Sequence, residues 1–238
     1  MARSSVSYVC QQCGSAFPKW AGRCDDCGAW NTLVEERKDA PAGPGKRAHG
    51  RQITLEPLQS ASTAKPLPRM QSDISEFDRV AGGGLVPGSA TLIGGDPGIG
   101  KSTLLLQLTC KLSSAEFRAA YISGEESADQ VRMRASRLGL ADATVELGTA
   151  TNASDIAASM TGAERPDIVV IDSIQTMFLP SLDSAPGTVS QVRASAQELI
   201  RAAKNNRVAL LIVGHVTKDG SIAGPRVLEH MVDAVLHF

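Results

Sequence analysis

No stretch of this chain approaches the ~20 consecutive apolar residues that a membrane-spanning helix requires. The start, Met1-Ala2-Arg3-Ser4-Ser5, has no apolar segment of the kind a secretory leader carries, so a cytoplasmic location without membrane association is expected. No charge sign dominates: 24 Lys and Arg face 25 Asp and Glu, which excludes a polycation that binds nucleic acid through bulk charge alone. No internal repeat is visible, which argues against a solenoid. The four histidines are too scattered to build a metal site of their own. Cysteine is scarce as well, five in 238 residues, but four of the five fall into two Cys-x-x-Cys pairs.

Those pairs are Cys10-x-x-Cys13 and Cys24-x-x-Cys27, separated by ten residues. Two such pairs read as a four-thiolate zinc site. Four thiolates close the tetrahedron around a d¹⁰ ion, so the zinc is expected to be structural, with no open position for catalysis. Gly14 and Gly28 follow the second cysteine of each pair and let the chain turn tightly. A redox Cys-x-x-Cys or a pair of disulfides is the alternative, disfavoured in a reducing compartment. A stub of roughly 30 residues buries too little apolar surface to fold alone. Zinc binding, worth on the order of 10 kcal/mol, supplies the missing stability. Tyr8, Phe17, Trp20 and Trp30 lie among Lys19 and Arg23. They either form the small core of this module or stack on nucleic-acid bases beside the cations.

Residues 1–72 hold 10 Lys and Arg and 6 Asp and Glu, formally +4. A zinc ion held by four thiolates takes about two charges off that figure. From Asp39 to about Lys65 the chain is rich in Pro, Gly, Ala and Ser with almost no apolar periodicity, which reads as a linker. Three parts are therefore expected: a four-cysteine zinc-binding module at 1–38, a flexible linker at 39–72 and a larger core at 73–238.

The core begins near Ile74 to Val80, passes through Gly82-Gly83-Gly84 to an apolar run at 90–93, and then shows Gly95-Asp96-Pro97-Gly98-Ile99-Gly100-Lys101-Ser102, followed by Thr103. This fits G-x-x-x-x-G-K-[ST] between a strand and a helix, the context that makes the pattern a phosphate-binding loop. Its backbone N–H groups point inward as an anion nest, and the following helix aims the positive end of its dipole at the same place. Lys101 is the cation for the phosphates, and the Ser102 hydroxyl is placed for Mg²⁺.

Apolar strands are expected at 119–123, 145–147, 168–172 and 209–214, with one more at 233–238. Helices are expected at 101–115, 127–138, 152–161 and 189–205. The alternation specifies an α/β fold, a parallel sheet covered by helices on both faces. Cys110, inside the first of these helices, reads as a small core residue. Strand 168–172 ends in Asp172, the acid that in phosphate-loop proteins sits at the magnesium ion. Tyr121-Ile122-Ser123-Gly124-Glu125-Glu126 ends another strand with two acids. Glu125 is read as the base that orients the attacking water, and Glu126 as a charge for the helix dipole. A third strand ends at His215, read as a sensor of the terminal phosphate. Loops at 178–188 and 216–224 are expected beside the nucleotide edge, where function concentrates.

Taken together, the chain resembles the RadA, or Sms, family of RecA-like bacterial DNA-repair ATPases. The resemblance rests on Tyr8-Val9-Cys10-x-x-Cys13-Gly14, Glu76-Phe77-Asp78-Arg79-Val80, the run from Gly95 to Thr103, and Ser123-Gly124-Glu125-Glu126-Ser127. Ser184-Ala185-Pro186-Gly187 and Gly214-His215-Val216-Thr217-Lys218-Asp219-Gly220 complete it. It implies a RecA-like P-loop sheet behind a small zinc ribbon, with ATP as substrate and Mg²⁺ and Zn²⁺ as cofactors. The implied function is a DNA-dependent ATPase acting on recombination intermediates, in branch migration and DNA break repair, as a homo-hexamer on single-stranded and branched DNA beside the RecA recombinase. Lys218 and Arg226 become candidates for DNA contact. The family carries a Lys-Asn-Arg-Phe-Gly motif and a Lon-protease-like domain that would follow Phe238, so a truncated member is expected. Truncation also leaves open a nucleotide-gated zinc-ribbon binding module without turnover.

Overall fold

The computed structural model describes residues 5–11, 14–38, 68–115, 117–215 and 228–238. The N-terminal module is a three-stranded antiparallel sheet of β1 (Ser5–Cys10), β2 (Ala16–Phe17) and β3 (Leu33–Lys38), in the order β2-β1-β3. Cys10, Cys24 and Leu33 form its small buried cluster, with Tyr8, Phe17 and Ala21 packed on them. The four aromatics do not act alike. Tyr8 and Phe17 serve the small core, whereas Trp20 and Trp30 are 58% and 70% exposed. The Arg23 guanidinium lies 5.8 Å from the Trp30 ring centroid.

The larger unit is a six-stranded parallel sheet. Its strands are β4 (Ala90–Gly94), β5 (Ala119–Ser123), β6 (Glu146–Thr149), β7 (Ile168–Asp172), β8 (Ala209–Val213) and β9 (Ala234–His237), in the order β6-β5-β7-β8-β4-β9. Strands β4, β7 and β8 are buried at every residue, which matches their unbroken apolar runs. The edge strands β6 and β9 are exposed at both ends.

The helices are α1 (Ser75–Val80), α2 (Lys101–Ser114), α3 (Ala128–Arg137), α4 (Ala153–Ser159) and α5 (Val189–Asn206). Strand side chains alternate between the two faces of the sheet, and the core divides accordingly. On one face Ile93, Tyr121, Val170 and Leu211 meet Leu105, Leu108 and Leu112 of α2 and Val131 of α3. On the other, Leu92, Val169, Ile171 and Ile212 meet Ile156 of α4 and Val192, Leu199 and Ala203 of α5. Cys110 is buried in the first of these cores, and its burial raises the pKa of the thiol.

The bounds of α2 to α5 agree with the periodicity to within a residue or two, with caps at the start of α3 and α4, whereas the short helix α1 is not among the expected elements. Ser127 closes a capping box with Gln130 and stands outside α3, and Asn152 caps α4 by accepting from Ser154 N–H. A short antiparallel bridge joins Met70 to Leu85. Gly84 is required there, because a Cβ would stand 2.6 Å from the Met70 carbonyl oxygen. No helix among the described residues is long and apolar enough to cross a membrane.

Candidate functional site

In a parallel sheet all carboxyl ends lie on one edge, and strand order decides which ends are neighbours. Here β5, β7, β8 and β4 are consecutive. Their ends present Glu125, Asp172, His215 and the glycine loop, residues far apart in sequence, along one edge of the sheet. This is where α/β sheets bind ligands.

The loop owes its shape to φ angles of +151° at Gly95, +79° at Gly98 and +107° at Gly100. At Gly98 and Gly100 a Cβ would meet nothing within 4 Å, so backbone conformation and not crowding demands glycine. Gly100 is the left-handed N-cap of α2, and no side chain caps it. The first N–H groups of α2 and its dipole are thereby left for an anion. Lys101 is buried, and its Nζ donates to the carbonyl oxygens of Gly95 and Asp96, both at 2.7 Å. Burial lowers its pKa, while the charges of Asp172, Asp96 and Glu125 pull it back up. Ser102 lies in the first turn of α2, partly buried.

Asp172 is 7% exposed at the end of β7. Its Oδ2 accepts from the Tyr121 hydroxyl. Burial first, and then the Asp172 charge, push the Tyr121 pKa up, so the phenol remains a donor. Arg134 Nη2 donates to the Tyr121 oxygen at 3.4 Å and lies 2.8 Å from Glu126 Oε2. Glu126 therefore serves an ion pair in addition to any dipole interaction with α3.

Glu125 is placed by a close approach of two chain segments. Gly124 N–H donates to the Asp172 carbonyl at 2.8 Å. A Cβ on Gly124 would stand 2.0 Å from Thr176 Oγ1, so only glycine lets the Glu125 backbone lie this near the segment after β7. Ser173 Oγ donates to Glu125 Oε1 at 2.6 Å, and His215 Nε2 lies 3.3 Å from the same oxygen. His215 Nδ1 is buried and has no hydrogen-bond partner among the described residues.

The loop at 178–188 is organised around one side chain. Gln191 of α5 is 1% exposed, donates to the carbonyls of Leu179, Leu182 and Ser184, and accepts from Leu179 N–H. The zinc module reaches the same place, since Gln11 Oε1 accepts from Val189 N–H at 3.2 Å in the first turn of α5. In that module the Sγ atoms of Cys10, Cys24 and Cys27 all lie within 4.8 Å of one another, and Cys10 to Cys27 is 3.6 Å. No disulfide joins the described cysteines. Gly14 N–H donates to the Cys10 carbonyl and Gly28 N–H to the Cys24 carbonyl, so the two Cys-x-x-Cys-Gly turns are built alike. Three converging thiols and a matched pair of turns fit zinc. Cys13, Lys218, Arg226 and the loop at 216–224 lie outside the described residues.

Sequence reasoning missed Tyr121, Ser173, Arg134 and Gln191. Tyr121 sits in an apolar strand and reads as packing. Gln191 offered a signal, because it lies beside Val192 near the start of the apolar stripe of α5 that Ala196 and Leu199 continue.

Residues 61–221 match the AAA domain family. The chain belongs to that family. Residues 8–35 match the rubredoxin metal binding domain. The whole chain is similar to curated proteins called DNA repair protein RadA: 54% identical to that of Brucella abortus, 53% to that of Pseudomonas aeruginosa and 49% to that of Bacillus subtilis. The chain spans about half the length of these relatives, 52% of each. Among solved structures, an isolated ATPase domain superposes with a TM-score of 0.61 over 75% of this chain and 78% of its own, at 14% identity. A DnaB-like replicative helicase superposes with a TM-score of 0.55 over 68% of this chain and 48% of its own, also at 14% identity. These two likenesses establish a shared fold.

Proposed function

We propose that this chain is the nucleotide-hydrolysing part of a DNA-repair ATPase that turns over ATP in response to DNA. The observation that carries the reading is the contiguous edge on which the glycine loop, Lys101, Asp172, Glu125 and His215 meet, in a chain similar to RadA proteins throughout. Residues Gly95 to Thr103 hold the phosphates, with Lys101 as their counter-charge. Ser102 and Asp172 are the groups that would hold Mg²⁺, which supplies charge neutralisation on the phosphate oxygens when bound. Glu125 accepts a proton from the attacking water, a role suited to a carboxylate that is steadied by Ser173 and still half exposed. His215, in contact with Glu125, carries the state of that site to the loop behind β8. Cys10, Cys13, Cys24 and Cys27 would hold the zinc.

The division into zinc module 1–38, linker 39–72 and core 73–238 belongs to the same proposal. So do a hexameric ring, single-stranded and branched DNA as ligand, contact through Lys218 and Arg226, cooperation with the RecA recombinase in branch migration, and a cytoplasmic location.

The test is phosphate release by this chain with and without single-stranded DNA. Stimulation by DNA that fades steeply with added salt is expected, because phosphate contacts release counterions. Release that ignores DNA at every salt concentration argues against the DNA-dependent reading. Cys24→Ser should lower zinc content from one ion per chain and melt the N-terminal module, while nucleotide affinity of the core stays within about threefold, since stability from the metal is local to that module. Full zinc content by atomic absorption in the variant would count against Cys24 as a ligand.

A further inference from the structure

We propose that Tyr121 is a positioning residue for Asp172 and that, with Arg134, it sets how tightly the site takes its divalent cation. This rests on the reading of Asp172 as the acid facing Mg²⁺. In the register of β5 against β7, Tyr121 is opposite Val170 and Ser123 is opposite Asp172. Paired residues of parallel strands share a face, so Tyr121 and Asp172 are diagonal neighbours on the same face of the sheet. Only a long side chain crosses that diagonal. The tyrosine does so: its ring is fully buried in the core beneath α2 and α3, and its hydroxyl donates to Asp172 Oδ2.

A phenol hydroxyl also accepts, and what it accepts from decides where its hydrogen points. Here Arg134 Nη2 donates to the Tyr121 oxygen at 3.4 Å. The arginine side chain is 14% exposed and is held 2.8 Å from Glu126. The result is a chain of donors, Arg134 to Tyr121 to Asp172, anchored by Glu126 and running from α3 under the sheet edge to the end of β7. Hydrogen bonds in series polarise one another. The carboxylate thus has one oxygen committed inside the protein, and its charge acts on Lys101 of the glycine loop. A carboxylate whose orientation is set before the cation arrives loses less freedom on binding it.

The experiment is a titration of N-methylanthraniloyl-ATP binding to the full 238-residue chain as a function of Mg²⁺, with Mn²⁺ occupancy followed in parallel by electron paramagnetic resonance. Tyr121→Phe keeps the ring in the core and removes only the hydroxyl. It should raise the Mg²⁺ concentration for half-saturation about tenfold, as loss of a hydrogen bond to a charged group does. Nucleotide affinity in the absence of Mg²⁺ should not move. Arg134→Gln should shift half-saturation in the same direction by a smaller factor, and it retains the tyrosine should the phenylalanine variant fold poorly. A merely structural role for Tyr121 would lower nucleotide affinity equally with and without Mg²⁺, and that result overturns the proposal. So does an unchanged half-saturation in either folded variant. Asp172→Asn separates the two levels. If it abolishes the Mg²⁺ dependence while Tyr121→Phe leaves it intact, the positioning role alone is wrong. If Asp172→Asn itself keeps the wild-type dependence, the assignment of the acid fails and the proposal with it.

Discussion

Lys101→Ala is expected to weaken nucleotide binding by at least about a hundredfold, the equivalent of ~2.7 kcal/mol. The ammonium is the one cation at the glycine loop that the structure buries, among the described residues, and burial makes its charge count for more than an exposed lysine's would. It is also pre-positioned, with Nζ already among the loop carbonyls of Gly95 and Asp96. The fold should survive, because alanine introduces no buried charge and, of the two carbonyls it releases, only that of Gly95 belongs to a buried residue. Equilibrium titration with a fluorescent ATP analogue, beside a thermal melt, reads both quantities. A variant that melts like the wild type and binds nucleotide within a factor of about three of it would refute the phosphate-binding assignment of the loop.

Glu125→Gln separates chemistry from binding. Glutamine has the same shape, and its amide oxygen still accepts from Ser173, so the position of the side chain is preserved. What disappears is the ability to take a proton. General-base catalysis is typically worth ~10²–10⁴ in rate, and a fall of that size in single-turnover phosphate release is expected with nucleotide affinity nearly unchanged. Turnover that persists at the wild-type rate would transfer the role to another group. The nearest candidate is His215, 3.3 Å from the same oxygen and with Nδ1 left without a partner among the described residues. Measuring His215→Gln alongside decides between them. If His215 only reports on Glu125, its loss should blunt the response to DNA more than the basal rate.

Much of this arrangement is legible in the order of residues alone. Strand and helix bounds follow from unbroken apolar runs and 3.6-residue periodicity, because a central parallel strand and an amphipathic helix leave opposite signatures. Local patterns identify the glycine loop, the paired cysteines and the strand-end acids. The two tryptophans show where composition stops being informative. Aromatic residues in a 30-residue module suit its core or its surface equally, and the space around Cys10 and Leu33 admits Tyr8 and Phe17 but neither Trp20 nor Trp30. Gln191 was hidden for a related reason: a polar residue on a helix reads as solvated unless something beside it needs hydrogen bonds, and here the turns at 179–184 do.

By itself, then, the sequence determined which segments of the core are strands, that a glycine-rich turn precedes α2, and that thiols gather near the amino terminus, since each of these depends on neighbours a few positions apart. Tertiary structure decided the rest. Strand order brought Glu125, Asp172 and His215 to one edge, and the diagonal of β5 on β7 joined Tyr121 to Asp172. Gly124 let Glu125 approach Ser173. Such contacts link residues dozens of positions apart, and they exist only once hydrophobic burial has chosen the order in which the strands lie side by side.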